Sequence, residues 1–276
     1  PATSPAPVSF STGASNIPVA AASPSPTPFT VTGLSTGELG IMRSTLTLAP
    51  STQQVNNNNA HEVFRRPPLP VELNGVSVSV SGAAAGLYFV SANQINFVVP
   101  VGLASTSTAQ PVTVFNNGAL IRTSVLINPV EPDIFTSTNG PGGRAAVLNV
   151  TNPCIAPTGE PFKVTTTRPK DSGTTGNCTS TDTETVPTRL LIMLTGLRPP
   201  SGQTPTITVR IGTTDLTGAS IISTGPSLTP GFDQIIVELP ASLAGAGDVP
   251  VIVSATVGGA TFTSRPADTA PHITIQ

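Results

Sequence analysis

Apolar and polar residues alternate with a period of two over short runs along this chain, and the runs stop at glycine, proline or asparagine. In "VSVSVSG" Val76, Val78 and Val80 share one face while Ser77, Ser79 and Ser81 share the other, the pattern of a strand buried on one side. The same habit marks "FTVTGL", "STLTLAP", "LYFVS", "INFVVP" and "QPVTVFNNGALIRTSVLINP" in the first half of the chain. It marks "AAVLNV", "RLLIMLTGL", "TITVRIG", "GASIIST", "DQIIVELP", "DVPVIVSATVGGATFTS" and "HITIQ" in the second. "FNNGAL" sets Asn116, Asn117 and Gly118 between two β-rich runs, and the tolerance of Asn and Gly for positive φ predicts a hairpin there. The 30 prolines and 25 glycines are spread throughout and leave little room for helices of ordinary length. An all-β fold is predicted.

The strands repeat as a set. "QINFVVPVGL" at 94–103 returns as "QIIVELPASL" at 234–243, "VSVSVSG" lines up with "ITVRIGT", and "QPVTVFNNGAL" with "VPVIVSATVGGAT". Short strands joined by turns, repeated once in this way, predict two tandem immunoglobulin-like β-sandwiches, residues 29–129 and 130–276, with "VEPDIF" at the junction. Residues 1–28, rich in Pro, Ala and Ser, read as an extended linker-like tail. Val8, Phe10, Ile17 and Val19 supply two short apolar alternations within it, which suit strands. "PSTQQVNNNNAHEVFRRPP" breaks the rhythm and is expected to be a long exposed loop.

Five stretches, "PLPVELNGVSVSVSG", "FVSANQINFVVPVGL", "EPDIFTSTNGPGGRAAVLN", "VPTRLLIMLTGLR" and "PGFDQIIVELPASLAGAGDVPVIVSATVGG", together resemble the acidobacterial repeat family called the Solibacter uncharacterised C-terminal domain. The likeness runs in order from about residue 67 to the end. It implies a secreted or cell-surface protein of immunoglobulin-like sandwiches, often attached to larger extracellular proteins, and carries over no catalytic residue. The tail, the asparagine run and the cysteine segment fall outside the shared pattern.

Composition removes several function classes. Charged residues make up 9% of the chain and the net charge is −2, so a nucleic-acid partner has no electrostatic footprint. No stretch reaches the roughly 20 apolar residues of a membrane span. The opening "PATSPAPVSF" reads either as a mature end left by signal removal or as an arbitrary boundary. Cys154 and Cys178 bracket 23 residues too polar to bury much surface, so a disulfide between them is expected, worth about 3 kcal/mol in the chain-entropy picture. That pairing suits an oxidising, extracytoplasmic compartment.

Catalytic chemistry finds little material. His61 and His272 lie in different halves, and only Glu62 stands beside either, which gives no metal-ligand spacing. Asp182 and Glu184 form a close acidic pair, short of the six to eight oxygens that calcium takes. No Gly-x-Ser-x-Gly elbow accompanies the serines, and "GPGGR" at 140–144 lacks the Lys-Ser/Thr of a phosphate loop. No enzyme, metal or cofactor is expected. Tyr88, the sole tyrosine in a chain without tryptophan, is expected in the core with its hydroxyl satisfied. Asn149 and Asn177 fit the glycosylation sequon.

The function expected is a non-catalytic extracellular structural protein that associates with itself head-to-tail in a cell-surface, pilus-like fibre. Val8, Phe10, Ile17 and Val19 would be the strand donated to a neighbour's sheet edge. The alternative is an adhesin or spacer module that binds a surface or a glycan.

Overall fold

A computed structural model of the protein describes residues 8–20, 25, 28–55, 68–137 and 142–276. The first sheet of the N-terminal sandwich sets Val8–Thr12, Leu39–Ser44, Gln94–Val98 and Gly86–Val90 side by side and antiparallel, with Gln53–Gln54 at its edge. The facing sheet runs Ala119–Val125, Gln110–Asn116 and Val76–Val80, to which the short Glu72–Leu73 and Ala83–Ala84 strands attach. Counted along the chain, the seven principal strands fall in the orders one, two, five, four and seven, six, three. That is the immunoglobulin arrangement.

The C-terminal sandwich repeats it. Asp133–Ile134 and Val147–Asn149 together form strand one against Arg189–Thr195, followed across the sheet by Asp233–Glu238 and Ile221–Pro226. The facing sheet runs Ala260–Thr263, Gly247–Val257, Thr206–Ile211 and Thr214–Leu216, and His272–Ile275 pairs with the start of Gly247–Val257.

The alternating valines do what their period requires: Val76, Val78 and Val80 are buried with Val112, Val114, Ile95 and Phe97 in one core. Leu190, Ile192, Val209, Ile235, Val237, Val251 and Val253 form the other. The repeated glutamine motif is strand five in both sandwiches, Gln94–Val98 and Asp233–Glu238, and each proline follows the end of its strand. Asn117 and Gly118 turn the Gln110–Asn116 hairpin at positive φ, 46° and 95°.

The expected boundary at Phe29 needs correction. Val8–Thr12 is strand one of the N-terminal sandwich, in register with Leu39–Ser44 from Val8 opposite Ser44 to Thr12 opposite Gly40. Phe10 is buried with its ring edge-on to Phe97, centroids 6.5 Å apart. Ile17 is fully buried, and Val19 bridges Val31 in parallel. Without these residues strand two would be a bare edge and the Phe97 end of the core would lie open. The structural repeat therefore includes Val8–Thr12. Alternation marks this five-residue strand, but its proline-rich surroundings set it apart from the sandwich it belongs to.

The cysteine segment is an insertion between strands one and two of the C-terminal sandwich. It holds a hairpin of Thr165–Pro169 with Thr183–Pro187 and one short helix, Ser172–Thr175. The asparagine run, with His61 and Glu62, lies outside the described residues.

Candidate functional site

In a chain so poor in charge, the buried charged groups are concentrated where the sandwiches meet. Glu38, Glu131, Asp133, Asp233 and Arg265 are each at most 5% exposed. Glu38 comes from the turn before Leu39–Ser44, and Glu131 and Asp133 come from the linker that follows Ile127–Asn128. Asp233 opens strand five of the second sandwich, and Arg265 follows its strand seven.

Ser15, from the N-terminal segment, ties three parts of the chain together. Its N–H and hydroxyl donate to Asp133 at 2.7 and 2.6 Å, while Arg265 Nε donates to its Oγ and Nη2 to its carbonyl, both at 2.9 Å. Elsewhere along the joint Leu39 N–H donates to Thr195 Oγ1 at 2.9 Å, and Thr195 donates onward to the Gly231 carbonyl at 2.6 Å. Thr36 Oγ1 donates to the Arg198 carbonyl at 2.8 Å, and Tyr88 OH to the Pro230 carbonyl at 2.7 Å. Arg198 Nε is paired with Asp233 at 2.6 Å. The linker also packs close. Gly196, at φ +83°, receives a hydrogen bond at its carbonyl from Glu131 N–H at 2.8 Å, and a Cβ there would come within 1.9 Å of the Glu131 carbonyl oxygen.

Two carboxyls at the joint have no cation partner among the described residues. Glu38 Oε2 accepts from Ser35 N–H at 2.6 Å and from Ser35 Oγ at 3.0 Å, while its buried Oε1 has no hydrogen-bond partner among the described residues. Glu131 Oε2 accepts from Asn128 Nδ2 at 2.6 Å. Burial drives the Glu38 pKa well above the glutamate range, and the neighbouring Glu131 charge adds to it. Burial likewise lifts Glu131 to about 8, against the Asn128 hydrogen bond and with repulsion from Asp133. Asp133 is also raised by burial, although Ser15, Thr12 and Arg265 pull the other way. Asp233 is raised by burial against the attraction of Arg198.

Beside the joint, Tyr88, Phe89 and Phe232 line a cleft of about 270 Å³ with the amides of Gln54 and Asn96 at its walls. Tyr88 is half-buried there, so its expected place in the core is corrected: its hydroxyl crosses to the other sandwich.

The remaining expected residues are scattered. Cys154 and Cys178 form a disulfide, Cα atoms 5.4 Å apart. Asn149 is half-buried, its Nδ2 donating to Thr166 Oγ1 at 3.0 Å, whereas Asn177 is exposed. Glu184 is taken by Arg168 at 2.8 Å, so it does not pair with Asp182 around an ion. Of "GPGGR", residues 142–144 are described, and Arg144 forks onto Glu160 and also meets Asp248, whose other oxygen lies 2.9 Å from His272 Nδ1. The Arg144 guanidinium holds the Glu160 and Asp248 carboxyls below their ordinary values. Among the described residues no three His, Cys, Asp or Glu side chains converge as metal ligands.

The joint itself was missed in the sequence because its members stand singly in turns, far apart along the chain. Glu131 and Asp133 at a domain boundary, in a chain so short of charge, were the available signal.

No family model matches the chain, and no curated protein matches it. Among solved structures a tandem pair of titin Ig domains is similar at 11% identity, covering 88% of this chain and 91% of that one, with a TM-score of 0.24.

Proposed function

We propose that the chain is a non-catalytic structural module of a secreted or cell-surface protein, built to hold two sandwiches as one stiff unit. The joint carries this reading. Domains in one chain move against each other unless their interface is well secured, and here separation would strip partners from Ser15, Asp133, Arg265 and Thr195, all buried. A disulfide around a polar insertion supports the exterior location.

Spin labels on Ala119→Cys and Ala260→Cys, the first residues of strand seven in each sandwich, test the stiffness. Both positions are exposed and both native cysteines are bonded, so labelling is selective. A single narrow distance distribution is expected; a broad one would count against a stiff unit.

Fibre formation is a second reading, favoured by the place of Val8–Thr12 at the edge of its sheet. Val8, Phe10, Ile17 and Val19 pack in or against their own sandwich, so a fibre would have to exchange this strand between copies for an identical set of contacts. The spacer needs no such exchange. A surface-binding form would use the cleft, where flat rings and amides suit a neutral sugar.

A further inference from the structure

We infer that the junction between the sandwiches is a proton-operated joint, held shut while the carboxyls of Glu38 and Glu131 carry protons and loosened when they ionise. This rests on the reading of the chain as a stiff unit and adds what governs the stiffness.

The geometry supplies an imbalance of charge. Glu38 from the turn before Leu39–Ser44, Glu131 from the linker and Asp133 from strand one of the second sandwich meet at the joint, all at most 3% exposed. Two cations face the same region. Arg265 is bonded to Ser15 and offsets Asp133, and Arg198 is engaged by Asp233. Among the described residues no cation pairs with Glu38 or Glu131. An ionised Glu38 would place charge on a fully buried carboxylate whose Oε1 receives no hydrogen bond among the described residues. A neutral carboxyl avoids most of that cost. Asp133, with Ser15 donating to both oxygens and Arg265 nearby, is the member best equipped to stay charged, and its charge penalises a second and third.

The direction of the pH effect follows. In an opened joint Glu131 meets water and titrates near its ordinary 4.5, while in the shut joint it titrates near 8. Below the lower value both forms hold the proton, and closure has its full stability. Between the two values the open form ionises while the shut form must keep its proton, so rising pH favours opening, by about tenfold per pH unit for one carboxyl. Above about 8 the loss from Glu131 is complete. Glu38, also raised, acts in the same direction.

The experiment measures the label distance between Ala119→Cys and Ala260→Cys at about pH 5 and about pH 9.5, on either side of the Glu131 transition. The distribution should be narrow at the lower pH and broaden at the higher one. Glu38→Gln with Glu131→Gln, which mimics the protonated carboxyls, should keep it narrow at both. Should that pair fail to fold, wild-type hydrogen exchange gives the same answer. Protection at the Leu39 and Glu131 amides, which bond across the joint, should fall with pH after correction for intrinsic exchange, while the Ala85 amide, which donates to the Val78 carbonyl in the core, keeps its protection.

A wild-type distribution narrow at both pH values overturns the proton joint and leaves the stiff unit standing. A distribution broad at both overturns the stiff unit itself. Narrowing at high pH on addition of calcium chloride would mean that the carboxylates hold a cation, and would also overturn the proton reading.

Discussion

Ser15 shows how much a single short side chain carries when it is placed at a crossing of three segments. Its hydroxyl donates to Asp133 and accepts from Arg265, and all three residues are buried, so no water replaces a lost bond. Ser15→Ala is expected to cost about 1–3 kcal/mol, most of it the penalty of leaving buried Asp133 and Arg265 short of a partner. Thr179→Ala, in the exposed cysteine insertion, should stay within about 0.5 kcal/mol. Urea denaturation of the two variants checks both values, and equal midpoints would remove Ser15 from its role. Nothing about Ser15 was legible beforehand. It is one serine among many, and its partners lie 118 and 250 positions away. Val76, Val78 and Val80 were legible because a period of two states which face is buried without reference to any partner.

At the scale of elements, the Val8–Thr12 strand is the instructive case. The alternation of Val8 and Phe10 predicts a strand but does not say which sheet edge receives it. Within the chain it pairs with Leu39–Ser44. A disulfide across this ladder separates a strand kept at home from one exchanged between copies. Ser9 and Arg43 face each other in register and both are exposed, so Ser9→Cys with Arg43→Cys should close without disturbing Phe10. If a fibre forms by exchange, the oxidised variant should remain monomeric in negative-stain images while its reduced form assembles. Assembly of both would exclude exchange of this strand. The cysteine hairpin makes the complementary point: a polar insertion between strands one and two can be long because it gives the core little beyond Phe162 and Val164, and its disulfide supplies the closure that burial cannot.

The whole molecule is two copies of one sandwich joined through a buried polar contact. Separate domains linked by a loose tether unfold independently. Here the first sandwich contributes Leu39, Thr36 and Tyr88 to bonds with the second, and the linker is packed against Gly196. Loss of either sandwich would leave buried polar groups of the other without partners, so calorimetry at mildly acid pH is expected to show one transition with calorimetric and van't Hoff enthalpies in agreement. Two resolved transitions would mean that the joint contributes little.

Alternation, turn residues and the internal repeat determined by themselves that this chain is all-β, that it folds twice in the same way, and which face of a strand such as Val76–Val80 is buried. These are properties of strands taken singly or in neighbouring pairs, and sequence records local periodicity directly. Tertiary structure alone decided that Val8–Thr12 completes the first sandwich, that Tyr88 reaches across to the second, and that Glu38, Glu131 and Asp133 are buried together. Each of those outcomes depends on two surfaces meeting at an angle and depth that no local pattern encodes, and it is there that the charges of a nearly uncharged chain are placed.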